Sequence, residues 1–170
     1  MRVVAARELK SDARNLVRKM DVIQFARVKG ENGALSGEVH ILINGRDLVQ
    51  LIGEHERPFA VAEGSPSLAG AYVGLSAVHT APPSGHFLGA PSWDIYRYGD
   101  KIQVLGCDCG EPGCWPLVCR IEVTAESVTW WDFEQPHRSG SKGDRRWRYD
   151  GLSPFVFDRK AYEAALNCIA

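Results

Sequence analysis

The sequence predicts an α+β fold in which a mostly antiparallel sheet is covered by one to three helices. Three observations predict it. Short β-prone runs recur over 22–43 and 100–134, with turn-rich links between them. Apolar residues at helical spacing are confined to separate stretches near 8–19, 45–56 and the end of the chain. The 170 residues, 45% hydrophobic and 24% charged, suit one domain with its own core. Neither a repeat nor a long linker divides them.

Leu9, Ala13, Leu16, Val17 and Met20 recur at helical spacing, so residues 8–19 read as an amphipathic helix. Residues 1–19 are assigned to a helical extension outside the core, and 20–170 to a single α+β domain. Val22, Ile23, Phe25 and Val28 mark a strand closed by the turn-rich KGENG, and EVHILI at 38–43 is a second. The two form a hairpin around 30–37. In NGRDLVQLIGEHERP, Asn-Gly ordinarily marks a hairpin turn. The following Leu48, Val49, Leu51 and Ile52 have helical spacing, however, so a helix is expected over 45–56, with Asn44 as its cap and Pro58 as its stop.

Residues 63–92 are punctuated by Gly, Ser and Pro, with short strands expected at AYVGL and HFLG. DKIQVLG at 100–106 is a strand that runs into the cysteines. PLVCRIEVTAESVTWWDFE reads as two strands joined near Ala125 and Glu126, and a basic loop, HRSGSKGDRRWRYDG, follows. FDRKAYEAALNCIA ends the chain as a helix capped by Asp158, with Phe157 packed on Tyr162 as a hydrophobic staple.

A net charge of −1 implies no general attraction to nucleic acid or anionic lipid. No apolar run approaches the roughly 18 residues a membrane span needs. MRVVAARELKSDARNLVRKM carries acids and lacks the apolar centre of a secretory signal. A reducing cytoplasmic location is therefore expected, where disulfides are uncommon.

The chemistry concentrates in CDCGEPGCWPLVC, residues 107–119, which holds four of the 5 cysteines. Cys107 and Cys109 would face opposite sides of a regular strand, but Gly110, Pro112 and Gly113 demand a tight turn that lets Cys107, Cys109 and Cys114 converge. A hairpin centred on 125–126 pairs Ile121 with Trp130, Val123 with Val128 and Cys119 with Asp132. That makes Cys119 a small core residue. The same register sets His137 beside Cys114, so Cys107, Cys109, Cys114 and His137 are the candidate ligands of a closed structural zinc site. The spacing is not the paired C-x-x-C of zinc ribbons. Reduced thiols in a tight turn and redox chemistry, with His137 or Arg138 lowering a thiol pKa, are the other two readings.

The segments ILINGRDLVQLI, LAGAYVGL, CDCGEPGCWPL, WWDFEQPHR and PFVFDRKAYEAAL resemble those of a family of small uncharacterised bacterial proteins carrying CxCGxxGCWP and QPHR. The resemblance covers most of 21–166 and implies a bacterial, cytosolic, single-domain protein. It implies no activity, cofactor or catalytic residue.

HERPF at 55–59 lacks the second histidine of a zinc-protease helix, and Glu54 and Glu56 read as a solvated helix end. Asp132, Glu134 and His137 are weak candidates for an acid–base group, Asp132 being placed on the apolar face of its hairpin, where a carboxylate needs a partner. No phosphate loop, dinucleotide fingerprint or Gly-x-Ser-x-Gly elbow appears.

The functional expectation is a non-enzymatic interaction or accessory protein with a rigid Cys-Gly turn and a structural zinc as the one candidate cofactor. Its partner would be another protein, rather than nucleic acid or membrane. Trp115, Trp131, Arg138, Arg145, Arg146 and Trp147 would form the binding surface, since aromatics and arginine dominate binding hot spots. One alternative is a small enzyme working by metal-assisted hydrolysis or thiol chemistry at the Cys107–Cys114/His137 site. Another is a nucleic-acid or phosphate binder acting through loop 138–149.

Overall fold

Ile23 and Phe25 of β1 (Ile23–Val28) and Val39, Ile41 and Ile43 of β2 (Glu38–Ile43) point inward, with their neighbours more exposed. This is the two-residue period of strands that cover a core on one face. The strands pair antiparallel, Ile23 opposite Ile43 and Val28 opposite Glu38, forming the expected hairpin. A computed structural model describes residues 19–29 and 37–169 of the chain. The helix expected over 8–19 lies outside them apart from its last residue.

Asn44 and Gly45 do make a hairpin turn. Their φ angles of 53° and 77° are those of a two-residue turn that suits Asn-Gly, and β3 (Arg46–Asp47) folds back with Leu42 opposite Asp47. The helix α1 (Leu48–Ala62) therefore starts later than the sequence suggests. Its cap is Asp47, whose carboxylate accepts from the Val49 N–H at 2.7 Å. Asn44 instead accepts from the Val22 N–H and donates to Asp21.

Pro58 lies inside α1 and does not stop it. A proline in a helix interior costs about 3 kcal/mol because it removes one hydrogen bond and crowds the preceding turn. Pro58 is on the exposed side with Glu54, where water can serve the freed carbonyl, while Ile52, Glu56 and Ala60 are buried on the other. Burial of that face outweighs the proline.

The chain then runs through β4 (Tyr72–Val73), β5 (Leu75–Ser76) and the single turn α2 (Ala77–Thr80). The strand expected at HFLG is a 3-10 turn over His86–Leu88, closed by Gly89 at φ 80°. Next come β6 (Arg97–Tyr98), β7 (Lys101–Cys107), β8 (Leu117–Val123), β9 (Ser127–Glu134), α3 (Pro136–Ser139), β10 (Phe155–Asp158) and α4 (Arg159–Asn167). The larger sheet has the order β10-β9-β8-β7-β4, with β6 also on β7, and the smaller one joins β1, β2, β3 and β5. All of these pairings are antiparallel. The fold is α+β in a single domain.

The β8–β9 register holds at Ile121 opposite Trp130 and Val123 opposite Val128, then shifts, so that Val118 faces Glu134. Asp132 sits at the shift with φ 54°, a left-handed conformation rarely adopted outside glycine. This bulge corrects the placing of Asp132 opposite Cys119 on an apolar face. It leaves Cys119 fully buried and turns Asp132 to solvent.

Trp130 is the centre of the core. Its Nε1 donates to the Tyr162 hydroxyl, which donates to the Phe87 carbonyl, tying α4 to the sheet and to the 3-10 turn. Asp158 caps α4 through the Ala161 N–H, and Phe157 packs on Tyr162 with ring centroids 5.5 Å apart. Among the described residues no helix is long and apolar enough to cross a membrane.

Candidate metal centre

At Cys107 strand β7 ends and the backbone closes two tight turns in succession. The Gly110 N–H bonds the Cys107 carbonyl and the Cys114 N–H bonds the Glu111 carbonyl. Gly110 and Gly113 supply the positive φ angles, 84° and 81°, that these turns require. The result brings the thiols of Cys107, Cys109 and Cys114 within 4.8 Å of one another. Cys107 is buried, Cys109 and Cys114 are exposed, and all five cysteines are free thiols.

The trio shares its protons unevenly. Partial burial, then its hydrogen bonding to Cys109, pushes the Cys107 thiol up to about 12. Cys109 moves the other way, because the Cys107 thiol, the Glu111 N–H and the Cys114 thiol all favour its thiolate. Cys109 is thus the thiol of the metal-free cluster that gives up its proton more readily than Cys107. A bound cation would replace the shared protons, since coordination deprotonates thiols.

Both ends of the turn are anchored. Tyr72 of β4 pairs with Cys107, and the Asp108 N–H reaches the Ala71 carbonyl. On the other side His137 Nε2 is 2.9 Å from the Gly113 carbonyl, and its ring stacks on Trp115 with centroids 6.3 Å apart. The Arg138 guanidinium lies 4.7 Å from the centre of the Trp115 ring and 5.7 Å from that of Trp147. It donates two hydrogen bonds to Glu63, at 2.9 and 3.0 Å, while Trp147 Nε1 donates to the same carboxylate. Glu63 closes the C-terminal end of α1 and its side chain is 3% exposed.

These contacts redistribute the residues expected at a binding surface. Trp115, Arg138 and Trp147 are buried as a cation–π stack beneath the thiol turn, so they brace it instead of meeting a partner. Arg145, Arg146 and Trp131 are exposed. Loop 138–149 is therefore not a continuous basic face, because its first arginine is neutralised inside the protein. His137 stands beside the thiol turn through its contact with the Gly113 carbonyl, although the register expected to bring it there shifts at Asp132, and the converging ligand atoms are the three sulfurs.

Asp132, Glu134 and His137 do not converge either. Lys101 Nζ lies 3.2 Å from Asp132 and 2.5 Å from Glu134; Arg120 also donates to Asp132, and Ser139 to Glu134. Burial disfavours both carboxylates, but these donors outweigh it and hold both below the usual range. They are ionised partners of a lysine, poorly suited to exchange protons near neutrality.

The sequence reading missed Glu56, placed there at a solvated helix end. It is 0% exposed. Its Oε1 accepts from the Tyr72 and Tyr149 hydroxyls, both at 2.5 Å, and its Oε2 accepts from the Gly70 N–H at 2.9 Å. Gly53 lets α1 come this close, since a Cβ there would meet Gly70 Cα at 3.1 Å. Burial raises the pKa of Glu56 against the pull of those three bonds. The signal was its spacing four residues from both Ile52 and Ala60, legible once α1 is carried past Pro58.

Comparison of the chain with family models, curated proteins and solved structures returns no match. Fold and site together define an α+β domain carrying a surface cluster of three cysteines.

Proposed function

We propose that this is a non-enzymatic accessory protein whose 107–114 turn holds one thiophilic cation, Zn2+, and presents its fourth coordination position to a ligand from a protein partner. The observation that carries the reading is the convergence of Cys107, Cys109 and Cys114 within 4.8 Å. Tetrahedral zinc with bonds of about 2.3 Å separates its sulfurs by about 3.8 Å, so the turn has to close by roughly 1 Å at most. Exposure of Cys109 and Cys114 leaves one side of the ion accessible. Three thiolates outweigh the charge of a divalent cation, which makes the ion a weak Lewis acid and favours ligand exchange over hydrolysis. His137, engaged with the Gly113 carbonyl, acts as a support of the turn.

Elemental analysis of untagged protein purified without chelator tests this. The expected result is about one zinc per chain, absent from Cys109→Ser and Cys114→Ser. His137→Ala should keep the site, with affinity reduced by about 10–100-fold, as for loss of a supporting contact. Metal-free protein with five titratable thiols that takes up no added zinc would refute the proposal.

A further inference from the structure

Strand β10 covers β9 only from Ser127 to Trp130. Beyond that point residues of β9 and of the segment 146–154 line a shared cleft of about 700 Å3. That volume falls within the range of small-molecule sites. We propose that this cleft binds a small organic anion, a carboxylate or phosphate monoester carried on a flat aromatic body.

The pattern of paired and unpaired charges within the cleft points to an anion. Asp132 and Glu134 line it, but Lys101, Arg120 and Ser139 already engage them. Arg146 and Arg148 also line it; they are exposed, and neither side chain has a partner among the described residues. Between and after them Trp147 and Tyr149 are buried, so the in–out alternation aims both arginines the same way. Asp150 is the one lining acid without a cation. Arg120 is shared with Asp100, so the lining charges and their partners balance overall, but the two unpaired guanidiniums of Arg146 and Arg148 face a single carboxylate, Asp150, at this end of the cleft. Guanidinium forks match the planar or trigonal oxygens of carboxylates and phosphates.

The aromatic body follows from Trp131. It is 39% exposed, lines the cleft, and is steadied by the Arg120 guanidinium 5.3 Å from its ring centre. A large aromatic held rigid beside free cations is a platform for a stacked ring. The strained backbone at Asp132 adds an independent indication. Its bulge leaves Trp131 and Asp132 exposed in succession, where regular pleating would turn one of them inward. Left-handed non-glycine residues cluster at sites whose geometry serves a ligand.

Titration of the full chain with phenyl phosphate, benzoate and benzyl alcohol, followed by tryptophan fluorescence and amide chemical shifts, tests the proposal. The better anion is expected to bind with a Kd at or below about 1 mM, at least roughly tenfold tighter than the neutral alcohol. The Arg146→Gln/Arg148→Gln double variant should lose about tenfold or more, and Trp131→Ala should lose a similar amount while keeping the anion preference. Tighter phenyl phosphate assigns a phosphorylated ligand, and tighter benzoate a carboxylic acid. The proposal is overturned if neither anion saturates by about 10 mM. It is overturned equally if benzyl alcohol binds as well as the anions, or if a double variant with an unchanged melting temperature binds both anions like wild type. Zinc content does not enter this readout, so the outcome is independent of the thiol cluster.

Discussion

Replacing Arg138 by alanine isolates the brace beneath the thiol turn. In the wild type the guanidinium lies beside both Trp115 and Trp147 and makes two hydrogen bonds to a Glu63 side chain that is 3% exposed. In Arg138→Ala, Glu63 keeps only the Trp147 N–H, at 2.9 Å, among those donors. Stranding one member of a buried ion pair costs about 3–5 kcal/mol, and lost cation–π contact adds up to about 1 kcal/mol. An expected loss of roughly 4 kcal/mol is a large share of the 5–15 kcal/mol typical of a domain. Urea unfolding at neutral pH reads the change in midpoint, and the slope tests whether the transition stays two-state. Arg138→Met with Glu63→Gln removes both charges and should recover most of the loss, since neutral replacement of a buried pair is often tolerated. A single-variant loss below about 1 kcal/mol would refute the assignment, placing this pair with the exposed ion pairs of small worth.

Two further outcomes follow from named groups. Glu56 has a pKa raised above 4.5 by burial, so its contribution is fully present below about 4.5 and is lost as the pH rises through the raised folded value. The stability of wild type relative to Glu56→Gln should therefore fall across that window and then level off; a difference independent of pH would contradict the burial argument. In metal-free protein, alkylation near neutrality followed by peptide mapping should label Cys109 first, because its thiolate is the stabilised one, with Cys107 and the fully buried Cys119 last. Uniform labelling in the folded state would count against the hydrogen-bonded cluster.

What the sequence disclosed depended on how local the deciding interaction was. The β1–β2 hairpin and the inner pairs of β8–β9 follow from apolar alternation and turn residues, both short-range. The convergence of Cys107, Cys109 and Cys114 was legible because Gly110, Pro112 and Gly113 leave the backbone few alternatives. The bulge at Asp132 was not, since its stabilising partners are Lys101 and Arg120, on other strands. Loop 138–149 looked like a basic surface because Glu63, 75 residues away from Arg138, is what draws that arginine inside. Pro58 misled for the same reason: burial of one face of α1 overrode a local stop signal.

The acids of α1 also constrain chain length far from the helix. Glu63 receives the Trp147 N–H and Glu56 the Tyr149 hydroxyl, so one helix face grips alternate residues of 146–149. A segment without regular secondary structure thereby acquires the parity of a strand. Insertion or deletion of one residue there would offer guanidiniums to the sites built for indole and phenol, and send the aromatics to water. Surface connections usually absorb such changes, but this one has a fixed phase, and the spacing of two carboxylates on a distant helix sets it.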